Sequence, residues 1–231
     1  MRAAAGRTVI GPGPLVATGT AHPKRPVRGL LLCDRDGTII RNRDTYVLST
    51  GDVEFLPGAV SALRRAHESG LAVVLVSNQS PVGRGMLDPE ECLRINRYVT
   101  DALAAEGAPV AAGYLCPHAP TDDCACRKPR PGLALAALRR FGLPPDRALL
   151  VGDSAEDMGA AVAAQVGGVL VRTGRGARHE PAVRADAALT GVRVVDDLTA
   201  AVDLVARGGE HPASPHSAPL SPESDSEVSV Q

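Results

Sequence analysis

The stretch GLLLCDRDGT, residues 29–38, carries an apolar run straight into two carboxylates one residue apart, Asp34 and Asp36, and closes on Gly37 and Thr38. A strand interior excludes charge, so the pair is expected at the strand's carboxyl end, where open α/β sheets bind their ligands. Carboxylates placed there serve as nucleophile, acid/base or ligand for a hard metal ion. Further strand-like runs are LAVVLVS (71–77), AAGYLC (111–116), RALLVGD (147–153) and GGVLVR (167–172), with a weaker one near 192–195. Helical signals separate them: Pro57-Gly58 to about Ser69, Asp88-Pro89 to about Ala105, Pro131 to about Phe141, and Ser154 to about Ala164. Uniformly apolar strands alternating with helices predict an α/β fold, a Rossmann-like three-layer sandwich with a mostly parallel sheet. Residues 38–56 are too long and polar for a simple connection, and predict a short flap over the site instead of a large cap domain.

Composition bounds the rest. The 231 residues suffice for one good core, and 44% hydrophobic content is that of a globular chain. A net charge of −1 and only 2% aromatic residues argue against nucleic-acid or membrane partners, for want of a basic patch or stacking platform. No apolar run approaches the length of a membrane span. Residues 1–28 are rich in Gly, Pro and Arg and are expected to form a poorly ordered extension. The Ser/Pro/acidic residues 208–231 are expected to be disordered, which leaves 29–207 as the folded domain. Five cysteines, three of them between 116 and 126, favour a metal site in a reducing compartment, the cytoplasm, over disulfides.

Each strong strand ends in chemistry. The first delivers Asp34 and Asp36, and the second Ser77-Asn78-Gln79-Ser80. Arg127-Lys128-Pro129 follows the third, and Gly152-Asp153 ends the fourth, with Glu156 and Asp157 just beyond. In a parallel sheet these ends meet on one rim. Carboxylates for a nucleophile and a Mg²⁺ site, with a lysine, a hydroxyl and an amide for phosphoryl oxygens, form a phosphoryl-transfer kit. Separately, Cys116, His118, Cys124 and Cys126 form C-x-H-x₅-C-x-C. Three thiolates and an imidazole suit a closed, structural Zn²⁺ site, here placed directly before Arg127 and Lys128 and able to aim them. Cys33 and Cys92 read as buried packing residues.

Together these motifs resemble the haloacid dehalogenase superfamily of phosphatases, whose pattern is D-x-D-G-T, a strand-end Ser/Thr, a Lys and G-D-x-x-x-D, over about residues 29–200. The resemblance implies that Asp34 forms an aspartyl-phosphate and that Asp36 protonates the leaving alkoxide, then activates water. It implies Mg²⁺ on the Asp34 carboxylate, the Asp36 carbonyl and Asp153, with Ser77, Asn78 and Lys128 gripping the phosphoryl group and Arg127 close by. The cysteine loop narrows the resemblance to the group of D-glycero-D-manno-heptose 1,7-bisphosphate phosphatases and histidinol-phosphate phosphatases. NQSPVGRG (78–85), CRKPRPGL (126–133) and LVRTG (170–174) are similar to the heptose enzymes. Departures are the short gap between His118 and Cys124, Ser77 in place of Thr, and Ser154 where Lys is common.

The group resemblance also implies substrate contacts in the flap at Asn42, Arg43, Asp44 and Thr45, with Arg43 on the phosphate that is not cleaved. Gln79, Ser80, Arg84 and Ser154 are further candidates. The expected function is hydrolysis of the 7-phosphate of a heptose 1,7-bisphosphate by a monomer. The alternatives are histidinol-phosphate hydrolysis and a catalytically silent, zinc-stabilised binding module.

Overall fold

Period-two alternation divides strand β2 (Gly29–Cys33) between two hydrophobic cores. Leu31 and Cys33 face one, and Leu30 and Leu32 the other, all four without solvent exposure. A strand buried on both faces needs helices on both faces. In this computed structural model, which describes residues 11, 13–19 and 27–206, α1 (Ala59–Glu68), α3 (Pro89–Ala105) and α7 (Leu198–Ala206) close the first core through Leu63, Ile95 and Val202. The second is closed by α4 (Gly132–Phe141), α5 (Ala155–Ala163) and α6 (Gly176–Ala185) through Leu133, Met158 and Val183. The expected three-layer α/β/α sandwich is present.

The strands are β1 (Leu15–Thr18), β2, β3 (Leu71–Asn78), β4 (Val110–Cys116), β5 (Ala148–Gly152), β6 (Gly167–Val171) and β7 (Arg193–Val195). Their order across the sheet is β1-β4-β3-β2-β5-β6-β7, parallel throughout except for β1 against β4. The chain runs outward from β2 through β3 and β4, then returns to β5 on the other side and continues through β6 and β7. The direction of winding therefore reverses between β2 and β5, which opens a crevice at their carboxyl ends.

Four elements differ from the sequence reading, one of them α7, for which the sequence analysis places no helical signal beyond about Ala164. Leu15–Thr18 was expected to be part of a loose extension, yet it pairs with β4 in register, Leu15 opposite Leu115 and Ala17 opposite Gly113. Edge pairing asks only for free backbone groups on a neighbour, and a short strand preceded by Gly and Pro carries little periodic signal. Helix α6 was also unread, because Pro181 and scattered charges blur its apolar face. The fourth is α2 (Ser80–Gly83), a single turn too short for periodicity to register. The expected disordered tail, 208–231, and most of residues 1–26 lie outside the described residues.

Residues 38–56 form the expected small flap, pinned by Leu56 N–H to Ile39 O and Arg41 N–H to Glu54 O, with a short turn at Thr50–Asp52. Among the described residues no helix is long and apolar enough to cross a membrane. Burial predicts contrasting costs. Leu32→Ala in the central strand is expected to lose about 2–5 kcal/mol in urea unfolding, and Val16→Ala, half exposed on the edge strand, less than about 0.5 kcal/mol.

Candidate active site and metal centre

Asp34 leaves β2 at the crevice, its backbone N–H still bonded to Val151 O across the gap to β5. Opposite it, β5 ends and delivers Asp153. Asp157, in the first turn of α5, completes a group of three buried carboxylates whose oxygens lie within 4.8 Å of one another. One cation serves them. Lys128, 3% exposed, donates from Nζ to Asp34 Oδ1 at 2.6 Å, to Asp157 Oδ1 at 2.5 Å and to Val76 O at 2.7 Å. Asp157 Oδ2 is taken by the N–H and hydroxyl of Ser154, which caps α5. Asp153 Oδ2 accepts from Asn42 Nδ2 at 3.1 Å and from Arg175 N–H at 2.8 Å.

The charge does not balance: three carboxylates face one ammonium. Burial, followed by the neighbouring carboxylates and against the pull of Lys128, pushes Asp34 up to about 7. Burial and then Asp157 push Asp153 up to about 6. Lys128 is raised despite burial, because Asp157 and Asp34 hold its proton. Asp34 Oδ2 and Asp153 Oδ1 have no hydrogen-bond partner among the described residues. A buried, all-oxygen donor set short of positive charge fits a hard divalent cation.

Asp36 faces a different neighbourhood. Its carboxylate is gripped by Arg35, Nε to Oδ1 at 2.9 Å and Nη2 to Oδ2 at 3.0 Å, and by Gln79 Nε2 at 3.0 Å. Burial favours its neutral form, yet Arg35 and these bonds prevail and hold it below the usual carboxylate range. The turn requires Gly37 at φ +100°, where a methyl group would overlap Asp153 and Asn42. Gly174, at φ +58°, approaches from the β6 side just as closely, and Thr173 Oγ1 donates to Gly37 O at 2.7 Å.

Several candidate residues take other positions than expected. The amide of Asn78 is spent on the backbone of Lys128, donating to its O and accepting from its N–H, both at 3.0 Å. It positions the lysine, and its side chain is not free for a phosphoryl group. Gln79, 2% exposed, bonds Arg35, Asp36 and Ser77 and does not line the cleft. Thr45 is also off the cleft, whereas Asn42, Asp44, Ser80, Arg84 and Ser154 line it. Arg43 lines it too, but its guanidinium is occupied by Asp52 O at 2.9 Å and Glu54 at 3.4 Å. Ser77 lies buried at the floor, and Arg127 donates to Ser80 Oγ at 2.6 Å.

Cys116, His118, Cys124 and Cys126 converge at the end of β4 into a second group able to hold a metal ion. Their Sγ atoms are 3.6 and 3.7 Å apart along Cys116–Cys124–Cys126, and His118 Nδ1 is 3.5 Å from Cys116 and 3.3 Å from Cys126. Cys33 and Cys92 are buried in the core, and burial pushes the Cys92 thiol up to about 11.

Residues 125–201 match the HAD-hydrolase-like family model. A Yersinia pestis D-glycero-beta-D-manno-heptose-1,7-bisphosphate 7-phosphatase is 38% identical over 164 residues, covering 68% of this chain and 87% of the relative. The Bordetella bronchiseptica protein of that name is 37% identical over 175 residues, covering 75% and 96%. The chain belongs to this family of HAD-like phosphatases. The crystal structure of the D,D-heptose 1,7-bisphosphate phosphatase from B. bronchiseptica, complexed with magnesium and phosphate, matches with a TM-score of 0.72 at 36% identity, over 77% of this chain and 97% of that one. The Burkholderia thailandensis enzyme matches with a TM-score of 0.59 at 28% identity, over 77% and 98%.

Within this family fold, a cleft of about 590 Å³ opens over the carboxylates, walled by the flap, α2, the cysteine loop and α6. Arg35, Arg175 just before α6, and the α6 residues Arg178 and His179 are not among the candidates of the sequence analysis. The signal for α6 was the glycine-rich turn Thr173-Gly174-Arg175-Gly176 directly after a strand, at the same rim as every other motif.

The raised carboxylates give a pH signature. In the unfolded chain both titrate near about 3.9. The fold therefore retains protons that the unfolded chain has lost, and that contribution to stability disappears as pH rises from about 4 through 6 and 7. A divalent cation held by these carboxylates would replace those protons. Added Mg²⁺ is expected to raise the melting temperature by several degrees at pH 7.5 and by much less at pH 5.0; equal shifts at both pH values contradict the assignment.

Proposed function

We propose that the protein is a Mg²⁺-dependent phosphomonoesterase that works through an aspartyl-phosphate on Asp34 and releases the 7-phosphate of D-glycero-D-manno-heptose 1,7-bisphosphate. The observation that carries the chemistry is the buried Asp34 carboxylate fixed by Lys128, beside Asp153, at the point where the sheet reverses direction. Asp34, Asp153 and the Asp36 carbonyl would hold Mg²⁺, which when bound supplies charge stabilisation to the phosphoryl oxygens. Lys128 takes Asp34 Oδ1 and so fixes the orientation of the attacking carboxylate. In the first step an Asp34 oxygen bonds to phosphorus as the ester P–O bond breaks, and the alkoxide takes a proton from Asp36. In the second, water loses a proton to Asp36 and attacks phosphorus, which frees Asp34 and inorganic phosphate. Arg35 and Gln79 favour the ionised Asp36 that this second step requires. Ser77 is the proposed grip on the phosphoryl group, and Lys128, its three protons given to Asp34, Asp157 and Val76 O, would act there through its charge.

The substrate reading rests on the relatives' names and on the cations of the cleft. Arg84, Arg175 and Arg178 line it exposed, with no carboxylate partner for their guanidinium groups among the described residues. A second phosphate needs such a site, and Arg175 with Arg178, at the start of α6, is the proposed holder in place of the occupied Arg43. Double replacement Arg175→Ala/Arg178→Ala is expected to raise KM for the bisphosphate at least about tenfold while leaving p-nitrophenyl phosphate turnover within about twofold. Asp34→Asn is expected to abolish both. Faster hydrolysis of histidinol phosphate than of the bisphosphate sinks the substrate reading. Failure of the wild type on every phosphomonoester leaves the binding module.

For the cysteine loop the proposed ion is Zn²⁺. The four donors sit close to the sulfur–sulfur and nitrogen–sulfur edges of about 3.8 and about 3.6 Å that follow from zinc's bond lengths in a tetrahedron. With three thiolates and an imidazole the site is closed to water, hence structural. The thiols must stay reduced to ligate, so the cytoplasm is the proposed compartment, and a monomer without nucleic-acid or membrane partners the proposed state. Cys124→Ser is expected to lower both bound zinc and melting temperature; full zinc occupancy in that variant would remove Cys124 from the ligand set.

A further inference from the structure

His118 is held from both sides of its ring. Nδ1 faces the sulfurs of Cys116 and Cys126, and Nε2 lies 3.1 Å from the backbone carbonyl of Gly11, a residue 107 positions earlier in the chain. A carbonyl oxygen only accepts, so this contact requires the proton on Nε2 and leaves Nδ1 with the lone pair a metal needs. Four residues beyond Gly11 the chain enters β1, whose Leu15 pairs with Leu115, the neighbour of Cys116. One short run of chain thus touches the strand that delivers the first ligand and the ring of the second.

We propose that Gly11, anchored by β1, is a clasp on the Cys/His centre: it fixes the His118 tautomer and ring orientation and slows loss of the ion. This rests on the reading of that centre as a zinc site. The clasp acts at a distance from the chemistry. His118 O accepts from Arg127 at 3.5 Å, and the same guanidinium nitrogen binds Ser80 Oγ on the wall of the cleft. The backbone of α2 at Gly83 also packs so closely on His118 and Ala119 that a methyl group there would overlap them. Gly11 is therefore a positioning residue for the cysteine loop, acting through His118 and not on substrate.

The test compares the zinc-loaded full chain with a variant that begins at Pro14, which removes the Gly11 carbonyl and keeps β1. Zinc release to pyridylazoresorcinol is expected to be at least about tenfold faster in the shortened protein, the scale of effect for outer partners of metal-bound histidines. In a His118→Cys background the ligand needs no acceptor, and shortening is expected to change release by less than about twofold. Acceleration of the same size in both backgrounds would mean general loosening and overturns the proposal. Where His118→Cys retains no zinc, the ring Nε2–H resonance of His118 decides: slowly exchanging in the loaded full chain and fast in the shortened one supports the clasp. Unchanged exchange overturns it. A full chain that takes up no zinc overturns the metal reading and the clasp with it, whereas a loaded chain whose release is unaffected by shortening overturns the clasp alone.

Discussion

The ammonium of Lys128, sealed between Asp34, Asp157 and the carbonyl of Val76, is the interaction on which the rest of the site depends. Taking such charges out of water is costly, and removing one partner of a buried pair typically costs about 3–5 kcal/mol because the other is stranded. A fold selected for stability alone would put apolar side chains there. Instead the sheet's reversal point holds three carboxylates and one lysine, an arrangement short of positive charge that a divalent cation would balance. The surrounding residues divide the task of holding it. Asn78 clamps the lysine's backbone, Ser154 caps α5 and takes the far oxygen of Asp157, and Asn42 with the Arg175 N–H fixes Asp153.

The two donor clusters obey opposite rules. The crevice offers hard oxygens, with Asp34 Oδ2 and Asp153 Oδ1 unpartnered among the described residues, and it opens to a cleft, as a reaction requires. The cysteine loop offers three sulfurs and one nitrogen, and as a closed set it suits structure only. They are joined by a chain of three residues: Cys126 belongs to one, Lys128 to the other, and Arg127 between them ties the loop to Ser80. A polar loop with little core of its own can in this way aim two cations into the crevice.

Much of this was legible because the motifs are local and the strands uniformly apolar. Asp34, Asp36, Lys128, Asp153 and the four Cys/His donors each follow a readable strand or stand at close spacing, and residues at successive strand ends must meet. Less legible were partners whose role depends on direction. Asn78 and Gln79 sit in a phosphoryl-gripping motif, yet their amides turn to Lys128 and to Arg35 and Asp36. Arg43 looks free in the sequence, but Glu54, eleven residues on, folds back beside it. Strand β1 and Gly11 were hidden because edge pairing and a backbone carbonyl carry no side-chain signature.

The sequence by itself determined the layered α/β architecture, the order of the motifs and the two kinds of donor set, because periodicity and residue chemistry are properties of neighbours along the chain. Only the tertiary structure decided which groups share a hydrogen bond, which arginines over the cleft have no carboxylate partner among the described residues, and which carbonyl holds the ring of His118. Those outcomes turn on distances of about 3 Å between residues up to 111 positions apart, and hydrogen-bond competition at that range has no counterpart in linear spacing.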